Sequence, residues 1–523
     1  MNAAQAMNLS QLLRQTALLH SNRPGLIINH VEISWHDIDR RVDAMACALS
    51  DLGVRKGDKI LVHSRNTQQL FESCWVAFRL GCVWVPTNFR LTPPEVAYMA
   101  SSSEANVMIV EDEFRDHIEA VQACSKSLHV IVIGQPQHTE YSYEALVTKH
   151  LGQDAHEASV SYDDPLWFFY TSGTTGKPKA GVLTHGQMAF VVTNHLADLI
   201  PGTRETDCSI AVAPLSHGAG IHALLNVARG SATILLTGKK LDPEDFWQQV
   251  ERHHVTNLFT VPTIIKMLVE HPAVDCYDHS SLRYVIYAGA PMYRTDQKLA
   301  LQKLGPVLVQ YFGLGEVTGC ITVLPPHMHS ADDHDSDANI GSCGRPRTGM
   351  EVAILDQHMQ KLKVGEIGEI CCRGPAVFSG YHGNPEATEK ALRGGWFHTG
   401  DLGKVDSRGL LYITGRESDM YISGGSNVYP LEVEEVLLTH PDVAEIAIFG
   451  MPDEKWGEVG VAVIVARIGA QITAEQLLAY LDGRCAKYRW PHHFFFWNSM
   501  PKSGYGKIVK KDIKKMLVDQ SLI

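Results

Sequence analysis

Short apolar runs alternate with longer amphipathic stretches through the first part of the chain. Lys59–His63 is a compact apolar run, and the stretch after it places Leu70, Phe71, Trp75 and Phe78 at spacings of about 3.6 residues, as in a helix. The alternation continues downstream through Val83–Val85, Glu95–Ser101 and Val107–Val110. This order of strand, helix and strand predicts βαβ units on a mainly parallel sheet.

Further along, the strand-like runs change character. Asn257–Val261 and Tyr284–Tyr287 still fit βαβ units, whereas Glu369–Cys372 and Leu411–Thr414 are separated by glycine-rich turns and predict a small antiparallel or barrel-like region. After Gly415 the pattern restarts as a small α+β unit. Its helical and strand-like segments follow in the order Pro430–Thr439, Val443–Phe449, Val459–Ala466 and Ala474–Leu481.

The predicted fold class is therefore α/β combined with α+β, in more than one domain. A chain of 523 residues is too long for one compact core. We expect a large N-terminal domain over residues 1–415, a hinge over 416–418 and a small, mobile C-terminal domain over 419–523.

Composition and charge narrow the function classes. The chain is 45% hydrophobic and 20% charged, as in an ordinary globular protein, and 46 Lys and Arg against 58 Asp and Glu give a net charge of −12. This acidic balance argues against a nucleic-acid partner, but it leaves small phosphorylated ligands open. The N-terminal segment lacks the apolar core of a signal peptide, no apolar run is long enough to span a membrane, and the 11 cysteines include no CxxC pair. A reduced, cytoplasmic protein is expected.

The strongest local signal is Tyr170–Lys179, with the sequence YTSGTTGKPK directly after an apolar run. Small hydroxyl residues and glycines let backbone N–H groups approach an oxyanion, and the two lysines supply positive charge. The segment is not a Walker P-loop, because Thr171 stands where the first glycine belongs and Pro178 follows the lysine. The alternative is a flexible surface turn.

In this segment the chain begins to resemble the AMP-forming acyl-CoA synthetases, which share an adenylate-forming fold with luciferases and peptide-synthetase adenylation domains. The resemblance covers almost the whole chain, and an alanine, Ala180, stands where the family usually has a glycine after the first segment. The segments that carry the resemblance follow in the family's order: Thr171–Lys179, Gly289–Pro291, Gln310–Glu316, Trp396–Asp401, the hinge segment that opens with Gly415-Arg416, and Gly504–Ile508.

The resemblance implies ATP, Mg²⁺ and coenzyme A as cofactors and a small carboxylic acid as substrate. It implies that Gly424 and Gly425 line the route of the CoA thiol, for which a plain hairpin turn is the alternative. The residues implied to contact the nucleotide are Thr171, Ser172, Gly173, Thr174, Thr175, Gly176, Lys177, Gly289, Ala290, Pro291, Gln310, Tyr311, Phe312, Gly313, Gly315, Asp401, Ile413 and Arg416.

Three residues are implied to be catalytic. Lys507 is the lysine of the C-terminal motif, although it also begins a lysine-rich stretch that would be solvated without the resemblance. Glu316 is implied to ligate magnesium, a hard cation that takes one or two carboxylates plus phosphate oxygens. His217, in the segment APLSHGAG, is implied to line or gate the pocket for the acid, with a structural histidine as the alternative.

The chemistry of thioester formation is consistent with such a set of residues. A carboxylate is a poor acylating agent, and attack on the α-phosphorus of ATP turns it into an acyl-adenylate with AMP as leaving group. Two anions must be brought together, so the site needs cations and preorganised donors. Asp401, after the turn Thr399-Gly400, suits the two ribose hydroxyls, and Arg416 reaches the same ribose or a phosphate. The alternatives are a turn residue and a surface ion pair.

Three positions depart from the family pattern. Gly315 replaces the usual threonine, Phe312 the usual tyrosine, and Ser418 the usual hinge aspartate or lysine. Thr318 is a candidate for the missing hydroxyl. These departures affect the expected turnover more than the expected fold.

Rival interpretations stay open on the sequence alone. One is adenylation with a carrier-protein or luciferase-type second step, and another is a catalytically silent nucleotide-binding homologue. The acid itself, whether short, medium-chain or aromatic, and a possible homodimer are not decided. Trp456 and Tyr488 are candidates to stack on the CoA adenine, with core packing as the alternative.

A cluster of histidines and aspartates could be drawn as a metal site, but it follows two prolines in a polar stretch. We therefore predict a solvated loop for His327, His329, Asp332, Asp333, His334 and Asp335.

Overall fold

The structure is a computed structural model, and it describes residues 5–125, 128–137, 140–171, 177–238, 240–290, 292–335, 338–502 and 508–520. The strands in these ranges are β1 (Gln5–Ala6), β2 (Pro24–Ile28), β3 (Val31–Ser34), β4 (Lys59–His63), β5 (Val83–Thr87), β6 (Val107–Glu111), β7 (His129–Ile133), β8 (Tyr141–Ser142), β9 (Val160–Ser161), β10 (Pro165–Thr171), β11 (Lys179–Thr184), β12 (Cys208–Ala211), β13 (Ala232–Leu235), β14 (Asn257–Thr260), β15 (Tyr284–Tyr287), β16 (Leu308–Phe312), β17 (Thr322–Leu324), β18 (Arg345–Pro346), β19 (Glu351–Leu355), β20 (Gly368–Arg373), β21 (Phe397–Val405), β22 (Leu411–Arg416), β23 (Tyr421–Ser423), β24 (Ser426–Val428), β25 (Val443–Asp453), β26 (Gly457–Ala466) and β27 (His493–Phe496).

The α-helices of the same ranges are α1 (Gln11–Leu19), α2 (Trp35–Asp51), α3 (Gln68–Leu80), α4 (Pro93–Ser103), α5 (Arg115–Cys124), α6 (Tyr143–His150), α7 (His185–Asp198), α8 (Gly218–Arg229), α9 (Pro243–His253), α10 (Pro262–Glu270), α11 (Arg294–Leu304), α12 (Pro385–Ala391), α13 (Pro430–Leu438), α14 (Ala474–Leu481) and α15 (Lys510–Asp519). Short 3₁₀ turns occur at Pro272–Asp275, Gly315–Val317, Pro326–Met328, Arg393–Gly395 and Lys487–Arg489. Of the helices in these ranges, none combines the length and the apolar character that crossing a bilayer would take.

Local chemistry sets the ends of the helices that follow the parallel strands. The hydroxyl of Thr67 accepts from the Leu70 amide and begins α3, which ends at Gly81 with φ of 64°. Thr92 and Glu95 form a reciprocal capping box at the start of α4. These caps confirm the predicted helices and extend them by a turn or less.

A seven-stranded sheet confirms the predicted βαβ units. Its strand order is β11-β10-β5-β4-β6-β7-β8, and every pair except β10–β11 is parallel. Strand β4 lies in the middle and is buried from Ile60 to His63, as expected of an apolar run covered on both faces.

A nine-stranded sheet forms the second half of the large domain, in the order β18-β17-β16-β15-β14-β12-β13-β2-β3. Its central strands are parallel, and the edge strands β3, β17 and β18 pair antiparallel. Side chains of both large sheets, among them Trp84, Trp167, Ile286 and Tyr311, belong to one buried cluster. The two sheets therefore share a core, and loops from both meet at its rim.

The two remaining sheets follow in chain order. Strands β19-β20-β21-β22 form a four-stranded antiparallel sheet in linear order, so the antiparallel prediction is confirmed and the barrel-like one is not. Beyond it, β24-β23-β26-β25, with β27 beside β26, form a five-stranded sheet. Helices α13, α14 and α15 cover that sheet, which confirms the predicted α+β architecture of the last hundred residues.

Candidate active site

The β10–β11 hairpin brings the ends of the predicted phosphate loop together. Thr171 ends β10 and pairs directly with Lys179 at the start of β11. The Lys177 ammonium lies over the ring of Tyr98, with 5.3 Å to its centroid, and the Lys179 ammonium lies 5.2 Å from the ring centroid of Tyr381. Ser172, Gly173, Thr174, Thr175 and Gly176 lie outside the described residues. Both ammonium groups thus lie beside aromatic rings of neighbouring segments.

The Glu316 carboxylate is buried next to this hairpin, with 5% of the residue exposed. Its Oε1 accepts hydrogen bonds from the Thr171 hydroxyl at 2.7 Å and from the Tyr381 hydroxyl at 2.9 Å. Burial, with the Glu316 charge second, raises the pKa of Tyr381, so this hydroxyl stays protonated and donates. Three segments far apart in the chain therefore converge on one carboxylate oxygen.

Packing explains why residue 315 is a glycine, which the sequence alone did not reveal. A Cβ at this position would lie 2.5 Å from Cδ1 of Phe169 and 2.9 Å from Cγ2 of Thr171. The Phe169 ring therefore occupies the place where the family's threonine would begin. Thr318 does not supply the missing hydroxyl, because it is fully buried, donates to the Val317 carbonyl and accepts from Nη2 of Arg347.

Asp401 and Arg416 form the second charged group of the site. They are directly paired across β21 and β22, and Nε of Arg416 lies 3.1 Å from Oδ1 of Asp401. The Asp401 side chain is 8% exposed and the Arg416 side chain 53%. Arg416 therefore does form an ion pair, as the alternative prediction had it, but the pair is with Asp401, which is itself a predicted site residue.

A buried network holds the turn before Asp401. The Thr399 hydroxyl accepts from the Asp401 amide and donates to the Ile370 carbonyl, and the Gly400 amide donates to Oε1 of Glu369. His398 donates from Nδ1 to the other oxygen of Glu369 at 2.6 Å. Glu369 and His398 were missed, and their only signal is their position on the predicted strands that flank Asp401.

Three side chains of this network could also be considered as metal ligands. Among the described residues, the potential ligand atoms of Glu369, Cys371 and His398 lie within 4.8 Å of one another. The Arg393 guanidinium donates to the same Glu369 oxygen at 3.0 Å. Because this cation already neutralises the carboxylate, the trio is accounted for as a hydrogen-bonded support of the Gly400 turn.

The segments predicted to flank the base lie at the carboxyl ends of β15 and β16. Gly289 follows β15 with φ of 81° and is exposed, Ala290 is half-buried, and Pro291 lies outside the described residues. Phe312 and Ile413 pack against the same small apolar cluster, which bridges the nine-stranded and four-stranded sheets. Gln310 accepts from the buried Tyr287 hydroxyl at 3.0 Å, so its amide is anchored inside the domain.

Backbone contact explains Gly313. A Cβ there would lie 2.3 Å from the Gly319 carbonyl oxygen, because the chain folds back on itself after Glu316. This close approach fixes the loop that carries the Glu316 carboxylate.

His217 and a set of aromatic rings form a separate wall of the site. His217 precedes α8, with Nδ1 2.9 Å from the Ser216 hydroxyl, and its ring meets the Phe169 ring edge-on at 5.3 Å. Tyr311 lies on the face of β16 opposite to Phe312 and stacks with Phe259 at 5.7 Å. Tyr311 thus lies with the His217 wall rather than with the residues around Asp401.

Phe169 and Tyr381 were also missed by the sequence reasoning. Phe169 had a signal, since residues two apart on a strand share a face and Phe169 precedes Thr171 by two. No sequence pattern pointed to Tyr381, because its hydroxyl is brought to Glu316 only by the packing of the loop that carries it.

Gly424 and Gly425 connect β23 and β24 in a two-residue hairpin, with φ of 56° and 81°. Gly424 donates to the Trp456 carbonyl, and a Cβ on it would lie 2.9 Å from the Trp456 ring. Trp456 is 43% exposed and Tyr488 47%, so neither ring is buried in a core. Lys507 lies outside the described residues.

The histidine- and aspartate-rich stretch is only partly the solvated loop that was predicted. His329 is buried and contacts the Tyr287 hydroxyl, and burial lowers its pKa to about 4. Asp333 pairs with Arg294 and Lys298 of α11. These contacts tie the stretch to the nine-stranded sheet.

The chain is similar to known proteins over most of its length. The sequence profile described as AMP-binding enzyme matches residues 13–382, and that of the AMP-binding enzyme C-terminal domain matches residues 432–507. A feruloyl-CoA synthase of Amycolatopsis sp is 34% identical over 92% of this chain and 94% of its own. An indoleacetate–CoA ligase of Aromatoleum aromaticum is 30% identical over 99% of both chains.

Among solved structures, the o-succinylbenzoate CoA synthetase of Bacillus subtilis in complex with its acyl-adenylate intermediate superposes with a TM-score of 0.83. It is 30% identical, over 96% of this chain and 97% of that one. The similarity thus extends through both the large and the small part of the chain.

Proposed function

This chain belongs to the AMP-binding enzyme family, and we propose that its site joins an aromatic carboxylic acid to coenzyme A. It is an AMP-forming acid–CoA ligase. In the first step a carboxylate oxygen attacks the α-phosphorus of ATP, the acyl-adenylate forms and pyrophosphate leaves. In the second step the CoA sulfur attacks the acyl carbon, loses its proton, and AMP leaves.

The contact between Thr171 and Glu316 carries the assignment of this site. It joins two motifs 145 residues apart in the chain at 2.7 Å, and the carboxylate it holds is buried. Burying a carboxylate costs free energy unless its charge is compensated, and among the described residues Glu316 has two hydroxyl donors but no cation paired with it, so a bound cation would stabilise it. This arrangement supports a site where the phosphates of ATP approach the β10–β11 hairpin.

The fit of the residues to magnesium supports its assignment to Glu316. One carboxylate and a neighbouring hydroxyl, that of Thr171, are hard oxygen donors of the kind Mg²⁺ prefers, and phosphate oxygens would complete the set. When bound, the ion neutralises charge on the phosphates. Tyr381 would then orient the Glu316 carboxylate through its hydrogen bond.

We assign the ribose to Asp401 and Arg416. The carboxylate accepts from two hydroxyls, and the exposed guanidinium beside it fixes the carboxylate's orientation. The apolar side chains of Phe312 and Ile413, which share a cluster next to this pair, suit the face of the adenine ring.

Lys507 and the two glycines are assigned to successive steps. The Lys507 ammonium would neutralise charge while the carboxylate attacks phosphorus, and the hairpin at Gly424-Gly425 would admit the thiol arm of CoA afterwards. The exchange requires the small domain, 419–523, to move about residues 416–418. Ser418 is exposed in a turn there and can absorb the backbone change.

The acid is assigned to the wall of Phe169, His217, Phe259 and Tyr311. Phe169 contacts the His217 ring and Phe259 stacks with Tyr311, and a wall built from these two ring pairs favours a planar, aromatic acyl group over a flexible chain. The carboxylate end would lie toward His217, since that residue neighbours Phe169 and hence the Thr171–Glu316 contact.

Pyrophosphate release with ATP, Mg²⁺ and a panel of aromatic and aliphatic acids tests the proposal, with the CoA thioester identified by mass. Glu316→Gln should lower the rate at least a hundredfold, whereas Glu389→Gln, an exposed acid on α12, should not change it. Equal rates for aliphatic and aromatic acids would contradict the assigned class. Absence of pyrophosphate with every acid would favour the silent homologue.

A further inference from the structure

Arg347 is a buried cation behind the aromatic wall. It follows the edge strand β18, and only 2% of the residue is exposed. Its Nη2 donates to the Thr318 hydroxyl at 3.2 Å, while its Nε and Nη1 have no hydrogen-bond partner among the described residues. A guanidinium is always charged, and donors left unpaired in a protein interior cost free energy.

No described carboxylate pairs with this charge. Of the titratable groups near Arg347, the Cys320 thiol acts on it most and Asp198 next. Burial raises the pKa of Cys320 to about 12, so the thiol is uncharged, and the Asp198 oxygens accept from the Thr348 amide, the Thr348 hydroxyl and the Asn194 amide instead. Arg347 appears in no ion pair of the described residues, and the ring of Phe190, 5.8 Å away, offers only a weak cation–π contact. Within the described part of the chain, the Arg347 charge therefore has no counterion.

The position of Arg347 links it to the acid. Thr318, to which it donates, follows Glu316 by two residues in the same loop. The Tyr311 hydroxyl lies 3.4 Å from a Cβ built on Gly218 and 3.2 Å from one built on Gly319, so this ring fills the space between the His217 segment and the Thr318 loop. The rings of Phe259 and His195 both lie near the Tyr311 ring, with centroids 5.7 and 6.4 Å from it.

His195 adds a second unpaired group at the same place. It is 2% exposed, and its Nε2 has no partner among the described residues. Burial lowers its pKa first, and the Arg347 charge lowers it further, so the imidazole is neutral beside the guanidinium. Among the described residues, Arg347 and His195 are therefore two buried polar side chains with unpaired nitrogens close to the Tyr311 ring.

We infer that the acid is a dicarboxylic acid, whose second carboxylate is bound by Arg347 beside the Thr318 loop and the Tyr311 ring. An anion there would accept from the unpaired nitrogens and neutralise the buried charge, which an uncharged ring substituent would not do. The inference rests on the proposed function, because it requires the acid to lie along the Phe169–Tyr311 wall.

The test compares aromatic monoacids with the same acids carrying a second, para carboxylate, at three ring-to-carboxylate lengths: benzoate and terephthalate, phenylacetate and 4-carboxyphenylacetate, cinnamate and 4-carboxycinnamate. The measured quantity is the ratio of kcat/KM for diacid over monoacid, from pyrophosphate release. At least one pair should give a ratio of ten or more in the wild type. In Arg347→Leu that ratio should fall tenfold or more, and Arg347→Lys should restore part of it.

Arg345→Leu is the matched control, since Arg345 lies two residues earlier and is exposed. It should keep the wild-type ratio. Thermal unfolding separates binding from folding: Arg347→Leu should melt at the same temperature as the wild type or higher without ligand, because it removes an unpaired buried charge, and it should lose the rise in Tm that the diacid gives the wild type.

A wild type that favours every monoacid, or an unchanged ratio in Arg347→Leu, would overturn the inference while leaving the ligase proposal intact. A lower Tm of Arg347→Leu would also overturn it, since Arg347 would then be a structural cation. If no acid of either kind releases pyrophosphate, the proposed function itself fails.

Discussion

Asp401 and Arg416 occupy directly paired positions on two neighbouring antiparallel strands, and their side chains meet at 3.1 Å. The carboxylate is buried and the guanidinium is largely exposed. A strand pair therefore presents an oriented acceptor at its rim, with the positive charge on the solvent side. The site's response to substitution follows from this and similar contacts.

Asp401→Asn should raise the KM for ATP at least tenfold, because an amide offers one acceptor oxygen instead of two to the ribose hydroxyls and carries no charge for an ion pair with Arg416. The measurement is the ATP dependence of pyrophosphate release at saturating acid. Asp406→Asn is a matched control, since Asp406 pairs with Arg408 at the other end of the same hairpin. An unchanged KM in Asp401→Asn would place the ribose elsewhere.

Tyr381→Phe should lower kcat/KM about tenfold by removing one donor to Oε1 of Glu316. Since burial and Glu316 raise the pKa of Tyr381, its hydroxyl stays protonated through the assay range, and the ratio of variant to wild type should be constant from about pH 6 to 9. Tyr412→Phe removes a hydroxyl–carboxylate contact far from Glu316 and serves as control. A pH-dependent ratio would count against this role.

Gly315→Thr, which restores the family's residue, should destabilise the protein by about 1–3 kcal/mol rather than improve it. The new Cβ would meet the Phe169 ring at 2.5 Å. Urea unfolding of the single variants and of Gly315→Thr combined with Phe169→Ala forms a double-mutant cycle. The cycle should give a favourable coupling, and additive effects would show that Phe169 is not what excludes the threonine.

Acidification should destabilise the large domain between about pH 6.5 and 4 through buried histidines. Nδ1 of His185 accepts from the Leu9 amide, and burial lowers its pKa to about 4, with Asp164 opposing and Lys56 adding to the shift. Within this window the unfolded chain binds a proton that the folded one does not. Stability is therefore complete above pH 6.5 and falls by up to about 1.4 kcal/mol per pH unit until the folded pKa is reached.

The check is the unfolding midpoint against pH for the wild type and His185→Gln. The glutamine variant should have a shallower slope between pH 6.5 and 4, even if its stability at pH 7.5 is lower. Parallel slopes would mean that His185 does not titrate in this way.

Lys507→Ala should abolish most pyrophosphate release but leave thioester formation from a synthetic acyl-adenylate largely intact. The reason is that the ammonium is needed only while two anions react. Lys515→Ala, an exposed lysine on α15, is the control for general charge loss. Equal loss of both half-reactions in Lys507→Ala would argue against a domain movement between them.

The order of elements was readable from the sequence because apolar spacing directly reports which face of a strand or helix is buried. Lys59–His63, Tyr284–Tyr287 and Ala474–Leu481 are observed at the predicted bounds. The motif residues Glu316, Asp401 and Arg416 were also found from the sequence, because their residue types and order carried the resemblance to the family. Their roles in the site stay predictions. The local sequence pattern is enough to predict an element when the residues that determine it all lie in one segment.

Tertiary packing decided the rest. Tyr381 reaches Glu316, Phe169 excludes a threonine at 315, and Arg347 is buried with no counterion among the described residues. Each of these depends on segments that are more than a hundred residues or several strands apart. A sequence pattern specifies which face a residue occupies on its own element, but not what the opposing element brings to that face. That is why the Glu316 carboxylate, proposed for the acid-activating site, could be found by motif, while the charge proposed to select the acid could be found only from its surroundings.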